Sequence, residues 1–108
     1  MQTINSVDSE KLELKKRANL FRGIEAVGGW ITITDKHVVF ESHQLNIQAG
    51  SEWIPLVDIV SAGKRNTMFI VPNGMKITVR SGKTYKFVVW GRDELLSCIY
   101  ELQPSARP

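Results

Sequence analysis

The residues nearest to metal or acid–base chemistry are His37, Glu41 and His43, which stand at even spacing within His37-Val-Val-Phe-Glu-Ser-His43. An extended segment sets all three on one face. Glu41 and His43 could touch one divalent cation, but such neighbours stand about 7 Å apart, wide for chelation, and no fourth ligand is evident. They are read as solvated polar positions on an outer face, with no metal expected. Ser42 points to the opposite face from His43 and has no third partner, so a nucleophile–base pair is not expected either. Gly28-Gly29 lacks both the Lys-Ser of a Walker loop and the third glycine that precedes a helix in dinucleotide folds, which speaks against nucleotide binding by those routes. Cys98 lies among Leu95, Ile99 and Leu102 and reads as a buried structural thiol. The expectation is a protein without catalytic residues or cofactor.

Basic and aromatic residues offer binding chemistry instead. Lys76, Arg80 and Lys86 are expected on the outward face of one hairpin with Lys83 at its tip, and Lys64 and Arg65 form a second cluster. Such a group suits an anion or a lipid head group, and a solvated surface explains it as well. Trp30, Trp53 and Trp90 each fall out of phase with the apolar positions of their segments, so all three rings are expected to point away from the interior. Cover by Leu12 and Leu14 or by a sheet corner, a self-association or partner surface, and interfacial membrane anchoring all remain open for them.

Short strands must position these groups. Leu12 and Leu14 alternate with charges in Glu10-Lys-Leu-Glu-Leu-Lys-Lys-Arg17, which fits an edge strand or a short helix capped by Ser6 or Asp8. Ala18 to Val27 reads as a strand that reverses at Gly28-Gly29, a doublet suited to positive φ. A two-residue turn at Asp35-Lys36 pairs Ile33 with Val38 and Ile31 with Phe40, keeping both apolar pairs on one face. Gln44 to Ser51 reads as a loop, and Pro55 puts the strand Trp53-Ile-Pro-Leu56 at an edge or beside a break. Ile59 to Ala62 is extended, Gly63-Lys-Arg-Asn66 interrupts, and Val71-Pro-Asn-Gly74 is a turn. A three-residue loop, Ser81-Gly82-Lys83, matches Val79 with Tyr85, Ile77 with Phe87 and Met75 with Val89. Arg92 to Gln103 carries Leu95, Leu96, Ile99 and Leu102 as one stripe at helical spacing, with Asp93 and Glu94 at its positive end and Pro104 behind it.

About seven strands followed by one helix, without βαβ alternation, imply antiparallel sheets packed or partly closed, with the helix plugging an open end. The 108 residues accommodate one domain, read as a polar leader 1–17, a domain 18–103 and a tail 104–108. Fourteen Lys and Arg against 11 Asp and Glu give a net charge of +3, which permits anionic partners without requiring one. Nucleic acid is not expected, because no stripe interleaves basic and aromatic residues. A single cysteine excludes an internal disulfide, the first thirty residues lack a secretory apolar region, and no apolar run approaches the roughly 18 residues of a spanning helix. A cytoplasmic location follows, with any membrane contact peripheral.

Gly29-Trp-Ile-Thr-Ile-Thr34, Val38-Val-Phe-Glu-Ser42, Ile54-Pro-Leu-Val-Asp-Ile59, Lys76-Ile-Thr-Val and Tyr85-Lys-Phe87, in that order before a helix, together resemble the GRAM domain family over roughly residues 18–102. The resemblance implies a mainly β, pleckstrin-homology-like fold: a partly open barrel of two orthogonal antiparallel sheets capped by a C-terminal helix. It also implies a binding module for membrane lipids or for proteins. In lipid-binding relatives the loop between the first two strands carries basic residues, whereas the positions matched to it here are Gly28-Gly29. The expected function is a non-enzymatic module that contacts anionic lipid head groups through Lys64, Arg65, Lys76, Arg80, Lys83 and Lys86. The alternative is a protein-interaction or homo-oligomer scaffold using the three tryptophans.

Overall fold

A computed structural model describes residues 10–43, 51–65 and 73–108. The alternating segment after Glu10 opens the first strand, β1 (Leu12–Arg22), so residues 12–17 belong to a strand and not to a separate leader or a helix. Next come β2 (Glu25–Thr34), β3 (His37–Ser42), β4 (Ser51–Pro55), β5 (Ile59–Lys64), β6 (Gly74–Val79) and β7 (Thr84–Val89). A short 3-10 turn, Leu56–Asp58, joins β4 to β5, and the helix α1 (Arg92–Leu102) closes the order. All strand pairs are antiparallel in one continuous sheet ordered β4-β3-β2-β1-β7-β6-β5, which is not closed. The two halves expected as separate sheets are therefore joined through β1. Of the segments read from sequence, the loop at 44–50, residue 66 and the Val71-Pro72 part of the turn lie outside the described residues.

Inward positions of the alternating strands form the core, which includes Ile31, Ile33, Phe40, Met75, Ile77 and Phe87, all fully buried. Phe40 and Phe87 meet across it at 6.0 Å, tying the β1–β4 half to the β5–β7 half. Leu95, Leu96 and Ile99 insert from α1, while Leu102 is only half-buried. The β2–β3 register is as expected, with Ile31 opposite Phe40 and Ile33 opposite Val38. Thr34 secures that turn, its hydroxyl accepting from the backbone N–H groups of Lys36 and His37 at 3.1 and 2.9 Å. Pro55 ends an edge strand, where a missing N–H leaves no ladder bond unmade.

Three expectations need correction. The first reversal is at Gly23-Ile24, with Gly23 at φ 64°, while Gly28-Gly29 lies inside β2. The doublet serves close approach: a Cβ on Gly29 would sit inside the Glu41 carbonyl group and 2.9 Å from the Phe40 ring. The second is the last hairpin. Its pairs are Ile77 with Tyr85 and Met75 with Phe87, shifted two residues from those expected. Val79 and Lys83 close the loop, the Val79 N–H donating to Lys83 at 3.0 Å and the Gly82 N–H to Val79 at 2.8 Å. The loop is thus Arg80-Ser81-Gly82, because a three-residue connection of this kind needs its left-handed residue last, and Gly82 has φ 94°. The third is Gly63-Lys64, which continues β5 instead of interrupting it.

Candidate functional site

The strand pairings decide which basic residues meet. Lys76 stands directly opposite Lys86 on the outward face of β6 and β7, both exposed. Like charges placed face to face cost a few tenths of a kcal/mol, about what a neutral partner would spare. Neither is ion-paired to a carboxylate among the described residues, and the same holds for Arg80 and Lys83 in the adjoining turn. Lys83 lies over the Tyr85 ring at 4.8 Å. Lys64 and Arg65 lie beside the first residues of β6: Lys64 pairs with the inward Met75, one ladder pair from Gly63–Lys76 and so on the opposite side of the sheet from Lys76, and is bound to Asp93 of α1 at 3.4 Å, while the Arg65 backbone N–H donates to the Gly74 carbonyl. Lys64 is thereby turned away from the side chain of Lys76.

Because Leu20 pairs with Phe87, β1 and β7 run from that point toward the β1–β2 and β6–β7 turns at the same end of the sheet. Ile24 tips the first of these turns and is fully exposed. Arg80, Lys83 and the bare Ile24 therefore share an end of the molecule, and the Lys76–Lys86 pair stands three ladder pairs up the last hairpin from it. Ile24 was missed in the sequence because it was read as mid-strand; Gly23 in front of it was the available signal.

The tryptophans all face outward, 36% exposed at Trp30, 37% at Trp53 and 52% at Trp90. Pairing places Arg17 opposite Trp30, and the Trp90 N–H donates to the Arg17 carbonyl at 3.1 Å, so Trp90, Arg17 and Trp30 form one row across three strands. The Lys15 ammonium is 5.1 Å and the Arg17 guanidinium 5.8 Å from the Trp30 ring centre, and the His43 ring meets Trp30 edge-on at 5.8 Å. Trp53 meets His37 edge-on at 5.3 Å. The proposed cover by Leu12 and Leu14 is not seen: Leu14 packs on the core and Leu12 is exposed. Lys15 and Arg17 were missed because the strand that orients them was left open in the sequence.

Of the metal candidates, His37 is engaged by Glu10, whose carboxylate lies 3.0 Å from Nδ1 and also accepts from the Thr34 hydroxyl. Burial opposes ionisation of Glu10, yet those hydrogen bonds and the nearby charge of His37 and Lys36 outweigh it and hold the carboxyl below its ordinary range. Among the described residues no three His, Cys, Asp or Glu side chains are placed to hold a metal ion. Cys98 is half-buried, not buried, and desolvation together with Glu13, Glu101 and Glu94 raises its thiol pKa. No helix among the described residues is long and apolar enough to cross a membrane.

An open antiparallel sheet of seven strands with a C-terminal helix defines a pleckstrin-homology-like domain, and solved structures bear that out at the level of fold. The C-terminal domain of an unknown protein from Leishmania infantum superposes with a TM-score of 0.80 at 18% identity, over 91% of this chain and 88% of that one. The Vps36 N-terminal PH domain gives 0.65 at 13% identity, over 92% and 80%. The N-terminal PH domain of human ARAP2 gives 0.63 at 15% identity, over 91% and 81%. No curated protein matches the chain in sequence. Residues 2–104 match the GRAM domain, and the chain belongs to that family.

Proposed function

We propose that this GRAM domain is a non-enzymatic module that contacts anionic lipid head groups peripherally, using the end of the sheet that carries the β1–β2 and β6–β7 turns. The observation that carries this reading is the exposed Lys76–Lys86 pair, without a carboxylate partner among the described residues and on the same hairpin as Arg80 and Lys83. Ile24 adds an apolar tip at the same end, so charge can draw the domain to an anionic surface while one side chain enters it. Lys64, held by Asp93 at 3.4 Å, is a lesser contributor in this reading.

Co-sedimentation with vesicles tests the reading. The domain is expected to bind vesicles containing phosphatidylserine at low salt, to release them at high salt, and to ignore phosphatidylcholine vesicles. Joint Lys76→Glu and Lys86→Glu substitution abolishes binding, and Ile24→Asp weakens it. Salt-insensitive binding, or equal binding by the charge-reversed protein, overturns it. The tryptophan row supports a second reading, a protein-interaction or self-association surface. A dimeric mass in solution that Trp90→Ala returns to monomer would favour that one.

A further inference from the structure

The same outer face holds a pocket of about 420 Å³ that the membrane contact does not use, lined by Arg17, Asn19, Gly28, Gly29, His43 and Trp90. Its floor is bare backbone. A Cβ on Gly28 would lie 3.3 Å from the Asn19 amide oxygen and 3.6 Å from the His43 ring, so these two side chains converge over that glycine. Trp90 walls the pocket, and Trp30, edge-on to His43 and stacked by Arg17, backs it. Arg17, Asn19 and His43 all bring nitrogen donors, and Arg17 pairs with no carboxylate among the described residues. Glu41 lies on the far side of Trp30 in the cross-strand row and does not line the cavity.

We infer that this pocket binds a small soluble ligand composed of a planar ring bearing an oxyanion, an aryl phosphate or its like. A flat ring fits over the glycine floor against Trp90, since no side chain rises there, with the Asn19 amide at its edge, and the guanidinium and imidazole receive the anion. The volume falls within the range of small-molecule sites. Neither half of the ligand is enough alone: the ring supplies the stacking and the anion supplies the charge-assisted hydrogen bonds.

The test follows the three indole N–H resonances by NMR as phenyl phosphate is added. Saturable shifts at Trp90 and Trp30, with Trp53 unmoved, are expected at millimolar ligand, and inorganic phosphate and phenol should each bind at least about tenfold more weakly. Arg17→Gln should weaken binding by about tenfold or more, and Gly28→Val, which fills the floor, should abolish it. Joint Asn19→Ala and His43→Ala substitution keeps the test decisive if Gly28→Val does not fold, and should also remove the shifts. Lys76→Glu with Lys86→Glu should leave them intact, separating this site from the membrane contact. Absence of saturable shifts, survival of the shifts in either pocket variant, or their loss on reversing Lys76 and Lys86 overturns the assignment.

Discussion

At the scale of single residues, Gly28 and Gly29 look interchangeable in the sequence and are not. Gly29 points inward, where the Glu41 carbonyl and the Phe40 ring leave no room for a methyl group, and backbone cannot step aside as a side chain end can. Gly29→Ala is expected to cost about 2–3 kcal/mol in urea unfolding, whereas Gly28→Ala, which meets the movable Asn19 amide at 3.3 Å and the His43 ring at ordinary contact distance, should cost less than about 1 kcal/mol. Equal losses would show that the strand can shift to accept either. The Glu10 carboxyl gives a second residue-scale expectation. Its folded pKa lies below the ordinary value, so the stabilisation from its ionised form is present above that ordinary value and is lost as pH falls through the folded one. Wild type should therefore exceed Glu10→Gln in stability near neutral pH, with the gap closing in acid. A gap independent of pH would assign the benefit to packing instead.

The elements show why some of this fold was legible in the sequence and some was not. Both strands of the β2–β3 hairpin alternate, and two turn residues leave one register that buries Ile31 with Phe40. The last hairpin also alternates, but sliding it by two residues keeps every side chain on its face, so burial cannot choose between Ser81-Gly82-Lys83 and Arg80-Ser81-Gly82. Backbone conformation chooses, through Gly82. Gly82→Ala should accordingly destabilise the domain by about 1 kcal/mol although nothing lies within reach of the added methyl, and Gly82→Asn should recover part of it. A neutral Gly82→Ala would return the loop to the other register. The outward direction of Lys76 and Lys86 was legible from the same alternation. The ion pair of Lys64 with Asp93 was not, because it needs a helix remote in sequence to be docked. Lys15 and Arg17 stayed hidden because the segment that carries them was left open between strand and helix, and Asn19 because its strand was given the wrong reversal point.

On the scale of the whole molecule, the two binding surfaces make different demands on orientation. A domain held by Ile24, Arg80 and Lys83 stands end-on to a bilayer. Trp30 is then five residues up β2 from the turn-flanking Glu25, about 17 Å along the strand, and Trp90 follows β7 at its far end from the Arg80 loop. A domain held by its tryptophan face lies flat and puts all three indoles at the lipid interface, where such rings are favoured. Vesicles carrying phosphatidylserine with brominated acyl chains separate the two, since bromine quenches only indoles close to the hydrocarbon. End-on docking predicts that bound wild-type protein keeps nearly all its tryptophan emission, while an Ile24→Trp variant loses the contribution of the added indole. Strong quenching of the wild type would instead lay the sheet face on the membrane. It would also close the pocket over Gly28 to soluble ligands, so phenyl phosphate and vesicles would compete. End-on docking leaves both bound at once, and the vesicle titration repeated in saturating phenyl phosphate should show unchanged affinity.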